Sequence, residues 1–186
     1  MTQKVSFTAM EHGTREDYEL IATHDRKHAS QQADRVLQWL RDMDGESPYR
    51  ISRLDHCLQT ATRAARDGAD DETVVCALLH DVGDLCAPDN HGAFAAALLA
   101  PYVSERNRWV VQHHEVFQGY YYFHHWGRDR NAREAFRGHP HFDACAAFCE
   151  RWDQVSFDPA YDTLPIEAFE PAVHRIFTRE PRKSGG

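Results

Sequence analysis

An imidazole and a carboxylate, His80 and Asp81, close a run of small and apolar residues that extends from Val74 to Leu79. Such a run predicts a buried helix, and an ionised aspartate is costly to bury unless it is paired or bound to a metal. Further candidate ligands occur in segments with helical character, namely His56, His91, His113, His114 and Asp153. The set predicts a metal site, and more specifically a site for two metals.

Length and charge exclude several classes of protein. The chain has 186 residues, which suits one domain, and a formal net charge of -8. This charge argues against nonspecific binding to nucleic acid or to an anionic membrane. No apolar stretch approaches the roughly 20 residues of a membrane span. The first residues lack the apolar core of a secretory signal, so we expect a cytoplasmic protein.

The cysteines point to reduced thiols. They are five in number, and most lie among small apolar residues, as buried free thiols do. No two of them have the C-x-x-C spacing of a structural zinc site. Thirteen histidines is a high number for this length and favours metal chemistry based on imidazole.

The apolar periodicity is helical nearly throughout, and it predicts an all-α fold. Thr14 and Asp17 resemble a capping box, and Ser104 is a good N-cap. Residues 1–13 form an N-terminal extension, 14–179 a single helical domain, and 180–186 a disordered tail. Helices are predicted near 30–43, 51–66, 71–79, 91–99, 128–136, 142–153 and 165–177, besides those that begin after Thr14 and Ser104.

The candidate ligands divide into two groups. Neighbouring residues on a helix point about 100° apart, so His80 and Asp81 can bind one metal, or Asp81 can bridge two. One complete site consists of His56, His80, Asp81 and Asp153. A second site needs nitrogen donors on the other side of Asp81, for which the candidates are His91 and either His113 or His114. These ligands suit iron, manganese or zinc.

The pattern of His56, His80-Asp81 and Asp153 resembles the H…HD…D signature of the HD-domain superfamily, whose fold is a single all-helical bundle. With two interposed histidines, the chain is most similar to the mixed-valent di-iron oxygenases that cleave the carbon–phosphorus bond of 1-hydroxyphosphonates, and more remotely to myo-inositol oxygenase. The resemblance covers roughly 49–153. The segments 54–61 and 77–84 favour this branch over two-metal phosphodiesterases.

The resemblance implies two iron ions, Fe2+ and Fe3+, with O2 as co-substrate. One iron would take His56, His80, Asp81 and Asp153, and the other would share Asp81 and take His91 and His114. We prefer His114 to His113 because the segment 104–106 fixes the alignment ten residues ahead of it. In the family a tyrosine closes over the metals, and Tyr49 takes this role here, as a catalytic residue beside Asp81.

The substrate would be a 1-hydroxy-2-aminoethylphosphonate, which a preceding hydroxylase supplies. Asp84 and the aromatic segment 119–126, with Tyr120 and Tyr121, suggest a trimethylammonium group, whose oxidation gives glycine betaine and phosphate. Core packing is the alternative role for these aromatics. Three polar side chains are candidates for the phosphonate, Gln118, Arg133 and Arg137, although a row of arginines is usually a solvated face.

Two other classes of function use the same fold. An HD phosphohydrolase, in which a metal-activated water attacks a small phosphate ester, would keep the same ligands. The residues after the His-Asp pair, Val82 to Leu85, are acidic or apolar, which disfavours a polyanionic substrate. A non-catalytic domain is the other class, and the presence of all six ligand types argues against it.

Overall fold

The computed structural model of the chain describes residues 3–182, and over these residues the fold is all-α, as predicted. The described part of the chain forms eight α-helices, with short 3-10 turns before α1 and in the connections that precede α5, α7 and α8. They are α1 Arg15–Ser30, α2 Gln32–Asp42, α3 Arg53–Arg66, α4 Asp71–Leu79, α5 His91–Leu99, α6 Glu105–Tyr122, α7 Phe142–Phe148 and α8 Glu170–Phe177. In this part of the chain, no helix is both apolar enough and long enough to cross a bilayer.

Side-chain caps fix where the long helices begin. Thr14 accepts a hydrogen bond from the Asp17 backbone N–H, and Asp17 accepts one in return, which completes the predicted capping box. Ser52 and Asp55 form a second capping box at the start of α3, and Ser104 caps α6. Because these caps satisfy backbone N–H groups that have no partner inside the helix, they set the phase at which each helix presents its side chains.

Helix α4 is the centre of the bundle. Its residues from Val74 to Leu79 are all buried, as expected for a helix that is apolar on every side. It packs against α3, α6 and α8, while α5 packs against α6 and α7 follows along α6. The His-Asp pair therefore lies at the end of the central helix, with His80 fully buried and Asp81 largely so.

Three predicted helices are shorter or less regular than expected. The segment 128–136 holds only the 3-10 turn Ala132–Phe136, and α8 begins at Glu170, immediately before Pro171, which has no N–H to continue a helix from earlier residues. Helix α7 passes into a π-helical turn, Cys149–Asp153. Such turns are rare and occur often at functional sites.

Both ends of the described chain contact the helical domain. Near the N-terminus, the backbone N–H and the hydroxyl of Ser6 donate to the Asp17 carboxylate, each over 2.8 Å. At the other end, the Arg182 N–H donates to the Pro101 carbonyl over 2.7 Å. The predicted disordered tail therefore includes residues 180–182, which the structure places, and residues 183–186, which lie outside the described part.

Candidate metal centre

The candidate ligands come from four helices and one turn. His56 lies in the first half of α3, His80 and Asp81 follow α4, and His91 begins α5. His114 lies in the middle of α6, and Asp153 is the last residue of the π turn. The structure brings all six side chains together, and three groups drawn from them have ligand atoms within 4.8 Å of one another.

The first donor cluster, defined as His56, His80, Asp153 and Oδ2 of Asp81, is almost fully buried. The Nε2 atoms of His56 and His80 are 3.2 Å apart. Oδ1 of Asp153 lies 3.3 Å from His56 Nε2 and 3.6 Å from His80 Nε2. Asp81 Oδ2 lies 3.5 Å from each of these two nitrogens. Each of the two histidine nitrogens therefore lies within 3.6 Å of an oxygen of both carboxylates.

The second donor cluster consists of His91, His114 and Oδ1 of Asp81. The Nε2 atoms of the two histidines are 3.3 Å apart. Asp81 Oδ1 lies 3.0 Å from His114 Nε2 and 3.4 Å from His91 Nε2. The two oxygens of Asp81 thus face different clusters, which is the arrangement of a bridging carboxylate.

Backbone carbonyls orient the histidine rings of both clusters. Nδ1 of His56 lies 2.9 Å from the Ser156 carbonyl oxygen, and Nδ1 of His80 lies 2.8 Å from that of Ala77. The other two rings follow the same rule, with His114 Nδ1 at 2.7 Å from the Val111 oxygen and His91 Nδ1 at 3.3 Å from the Pro88 oxygen. A carbonyl can only accept, so each Nδ1 carries its proton and each Nε2 directs a lone pair into its cluster.

This chemistry fits metal ions. Ligands bound at roughly 2.1 Å to one ion lie about 3.0 to 3.5 Å from each other, as most of these atoms do. Without a cation, facing lone pairs such as those of His56 and His80 would repel each other. Asp153 Oδ2 is in addition buried without a hydrogen-bond partner. Buried His and Asp groups that could hold metal are therefore present.

The same convergence shifts the pKa values of the ligands. Burial alone would lower the pKa of His56, His80 and His114, but the Asp81 and Asp153 carboxylates outweigh it and raise all three above the ordinary value. Burial would likewise raise the pKa of the two aspartates, but the surrounding imidazoles hold both well below the usual range. The site therefore attracts positive charge, which protons supply when no metal is bound.

A glycine allows the second cluster to form. A Cβ atom on Gly83 would lie 2.4 Å from the backbone oxygen of His91 and 2.7 Å from its Cα. These are immobile backbone atoms, so no larger residue fits without a shift of the turn. The sequence His80-Asp81-Val82-Gly83 thus brings the start of α5 against the residues that follow the His-Asp pair.

Of the two adjacent histidines on α6, only His114 enters a cluster. The ring of His113 packs on the other side of α6, with centroids 4.4 Å from Trp109 and 4.7 Å from Phe136. His139 also stacks on Trp109, at 4.1 Å, and so lies with His113 rather than at the site.

A cavity of about 620 Å³ opens onto both clusters, with His56 and Asp153 of the first and His91 and His114 of the second on its wall. Its wall includes Tyr49, Asp84, Gln118 and Tyr121, which the sequence predicted as site residues. It also includes Tyr122 and Trp126 of the predicted aromatic segment 119–126, and several residues that the sequence analysis did not name, among them Arg53, Glu115, Gln154 and Phe157. Glu115, Gln118 and Tyr122 are spaced i, i+3 and i+7 on α6, a signal that could have identified this face.

Tyr49 and Gln118 make different contacts with the first cluster. The Tyr49 ring lies 4.9 Å from Phe157, whose ring in turn stacks on His56 at 4.4 Å. Tyr49 itself is exposed at the mouth of the cavity. Gln118 Nε2 donates to Asp153 Oδ1 over 2.9 Å, and its Oε1 is buried without a partner.

Three residues predicted to bind substrate do not line the cavity. Tyr120 faces away because Arg130 and Arg133 stack on its ring, at 4.3 and 3.8 Å. Arg137 pairs with Glu134 over 2.6 Å and stacks on Phe142. The prediction for Tyr120, Arg133 and Arg137 is corrected accordingly. Arg133 stacks on Tyr120, and Arg137 contacts Glu134 and Phe142 outside the cavity.

Asp84 lines the cavity, but it already has a cationic partner. Nη1 of Arg53 donates to Asp84 Oδ2, and Asp84 Oδ1 lies 3.4 Å from His91 Nδ1. The predicted role of Asp84 as the group that reads a substrate cation is therefore weakened, because a guanidinium from the first turn of α3 neutralises its charge. This pair joins residues 31 positions apart.

Comparison with known proteins does not assign the chain to a family. No family model matches the sequence, and no curated protein shows significant similarity to it. The description of this site therefore depends on its own geometry.

Proposed function

We propose that this protein is an HD-domain, di-iron oxygenase that cleaves the carbon–phosphorus bond of a 1-hydroxy-2-aminoethylphosphonate, including the N-trimethylated form. The observation that carries the proposal is the bridging geometry of Asp81, whose two oxygens face two nitrogen-rich clusters. Iron in these clusters would supply the one-electron chemistry that activates O2. The cytoplasmic location and the preceding hydroxylase remain predictions.

The inequality of the two clusters supports this reaction class. The first cluster has four protein ligand atoms, and the second has three and includes the more exposed His91. Residues of both clusters line the cavity. A site with three protein ligands of the His and carboxylate type leaves positions free for substrate and O2, as in other non-haem iron oxygenases. The cavity is also large enough for a small hydroxyphosphonate.

The proposed reaction is balanced without a further reductant. R–CH(OH)–PO3²⁻ and O2 give R–COO⁻, HPO4²⁻ and one proton. The C–H, C–P and O–O bonds break, one C–O and one P–O bond form, and the substrate supplies all four electrons that reduce O2. With a trimethylammonium group on R, the carboxylate product is glycine betaine.

Glu115 is better placed than Asp84 to accept the ammonium end of the substrate. The Glu115 side chain makes no ion pair or hydrogen bond within residues 3–182, and it lies on the cavity wall with Tyr122 and Trp126. The latter two rings pack edge to face at 4.8 Å. Burial and then the Glu115 carboxylate raise the pKa of Tyr122 to about 12, in keeping with their proximity. Aromatic faces beside a free carboxylate suit a quaternary ammonium.

The remaining wall residues would exclude water and position the substrate. Tyr49 and Phe157 form an aromatic contact that extends from the cavity mouth to His56, so Tyr49 would cover a bound substrate. The amide of Gln118 holds Asp153 and orients it toward the first cluster. Exclusion of water prevents side reactions with solvent and strengthens the electrostatic contacts within the cavity.

The test is an oxygen-uptake assay on protein loaded with iron. We expect a mixed-valence electron paramagnetic resonance signal and uptake of one O2 per phosphate released from 1-hydroxy-2-aminoethylphosphonates with zero to three N-methyl groups. Glu115→Gln should weaken binding of the trimethylated substrate, with Glu105→Gln, on the first turn of α6, as the matched control. Absence of O2 uptake with every member of the series would contradict the proposal.

One observation favours a second function, hydrolysis of a small phosphate ester. The local sequence after His80-Asp81 offers no cation, but the fold brings Arg53 against Asp84, within this part of the wall. A phosphohydrolase would use such a cation and a metal-activated water. Phosphate release from esters under anaerobic conditions, without O2 uptake, would favour this function over the oxygenase.

A further inference from the structure

We propose that Arg53 binds the oxyanion end of the substrate, a phosphonate or phosphate, and that Asp84 holds its guanidinium in position. The inference deepens the proposed function, since it assumes that the cavity above the two clusters receives the substrate. It holds equally for the phosphohydrolase, because both substrates carry the same type of oxyanion.

Charge on the cavity wall points to Arg53. It is the one Lys or Arg among the described residues that line this cavity. The acidic side chains on the same wall are those of Asp81, Asp84, Glu115 and Asp153. An anionic substrate therefore meets a single fixed cationic side chain on an otherwise acidic wall, besides any bound metal.

The guanidinium has donors left for a ligand. Of its five N–H groups, one engages Asp84, and within residues 3–182 the others have no hydrogen-bond acceptor. The side chain is 46% exposed, whereas that of Asp84 is 10% exposed. A guanidinium can present two parallel N–H groups to a phosphoryl oxygen pair, a geometry that lysine cannot reproduce.

The position of Arg53 on its helix is unfavourable for helix stability. It is the first residue of α3, where the helix dipole favours negative rather than positive side chains. The capping role at this end belongs to Ser52 and Asp55. The Arg53 charge therefore does not stabilise α3, and the contact that orients its guanidinium is the one with Asp84.

Asp84 connects the guanidinium to the metal centre. Its Oδ2 accepts from Arg53, while its Oδ1 faces Nδ1 of the ligand His91 at 3.4 Å. Carboxylates behind a ligating histidine fix the ring and its tautomer. The same carboxylate therefore contacts both a ligand of the second cluster and Arg53, which places the guanidinium beside that cluster on the cavity wall.

The experiment measures binding of inorganic phosphate to iron-loaded protein by titration calorimetry. Loss of a charged hydrogen bond predicts a roughly 10- to 100-fold weaker affinity for Arg53→Gln. Arg53→Lys, which keeps the charge but not the paired donors, should lose about 3- to 10-fold. Arg50→Gln, an exposed neighbour outside the cavity wall, is the matched control and should bind phosphate like the wild type.

Steady-state kinetics separate a substrate-binding role of Arg53 from a structural one. Arg53→Gln should raise KM for the phosphonate or phosphate ester much more than it lowers kcat, with iron content unchanged. Equal phosphate affinity in Arg53→Gln and Arg50→Gln would overturn the inference. If Arg53→Gln lost its iron, unchanged phosphate affinity in Arg53→Lys would also overturn it, and a weakened one would support it. Arg53-dependent phosphate binding without any O2 uptake would leave the inference intact and reject the oxygenase instead.

Discussion

The two donor clusters share Asp81 but differ in how firmly the fold holds them. In the first, His56, His80 and Asp153 are at most 5% exposed and come from the core of the bundle. In the second, the His91 side chain is 15% exposed and begins the short helix α5. The comparison indicates that a metal at the first cluster would be held by more deeply buried side chains than a metal at the second, although the cavity wall includes residues of both.

The largest effect should come from the shared carboxylate. Asp81→Asn removes the negative charge that both clusters use, so we expect bound iron to fall from about two ions per chain to nearly none. Asp153→Asn should retain about one ion, at the second cluster. Elemental analysis after gel filtration measures this difference, with the exposed Asp143→Asn on α7 as control. Equal losses in Asp81→Asn and Asp153→Asn would show that Asp81 does not bridge.

A substitution at Gly83 should affect the second cluster selectively. The new Cβ of Gly83→Ala would overlap the His91 backbone, and such overpacking typically costs about 1–3 kcal/mol. We expect that loss in urea denaturation of metal-free protein, together with loss of about one iron. Gly45→Ala, whose Cβ would meet nothing within 4 Å, is the control. Unchanged iron content in Gly83→Ala would show that α5 can move without harm to the site.

The pH dependence of stability should reverse when metal is bound. In metal-free protein, the raised pKa values of His56, His80 and His114 give stability that is complete below about pH 6.5 and is lost as pH rises through the folded values. The lowered pKa values of Asp81 and Asp153 give stability above about pH 4 that is lost as pH falls.

Metal-free protein should therefore be most stable between about pH 4 and 6.5. Metal-loaded protein should instead gain stability as pH rises from about 5.5 to 7.5, because an imidazole must be neutral to bind a metal. Thermal unfolding in chelator and in excess metal measures both slopes. If the two preparations showed the same slope, the three histidines would not be the groups that exchange protons for metal.

Sequence reasoning named six side chains that the fold brings together, but it named fewer of the residues that line the cavity, and the reason is physical. His80 and Asp81 are adjacent in an apolar run that predicts burial. Because burial of an unpaired charge costs free energy, their presence there indicates a functional role. His114 was distinguished from His113 only through alignment, since both positions on α6 are consistent with helical spacing. In the structure the His113 ring packs on Trp109, whereas the His114 ring faces Asp81.

The wall depends on contacts that local spacing does not encode. Asp84 was expected to meet a substrate cation, but Arg53 reaches it from a different helix. Arg133 and Arg137 were expected to extend from a helix near 128–136, whereas the segment holds only a 3-10 turn. Asp153 was predicted as a ligand, but the π turn that presents it has no signature in the apolar periodicity.

The smallest effect on phosphate affinity should come from substitution of Arg137. Like Arg53 it is an arginine considered for the substrate oxyanion, but it lies outside the cavity wall. Arg137 is 59% exposed and pairs with Glu134 three residues earlier, an arrangement that contributes about 0.2–1 kcal/mol at most. Arg137→Gln should thus change the free energy of unfolding by less than about 1 kcal/mol and leave phosphate affinity within about twofold of the wild type. Titration calorimetry beside Arg53→Gln makes the comparison direct. A tenfold weaker affinity in Arg137→Gln would mean that the 3-10 segment moves to the cavity in solution, and the distinction between a wall arginine and a surface arginine would fail.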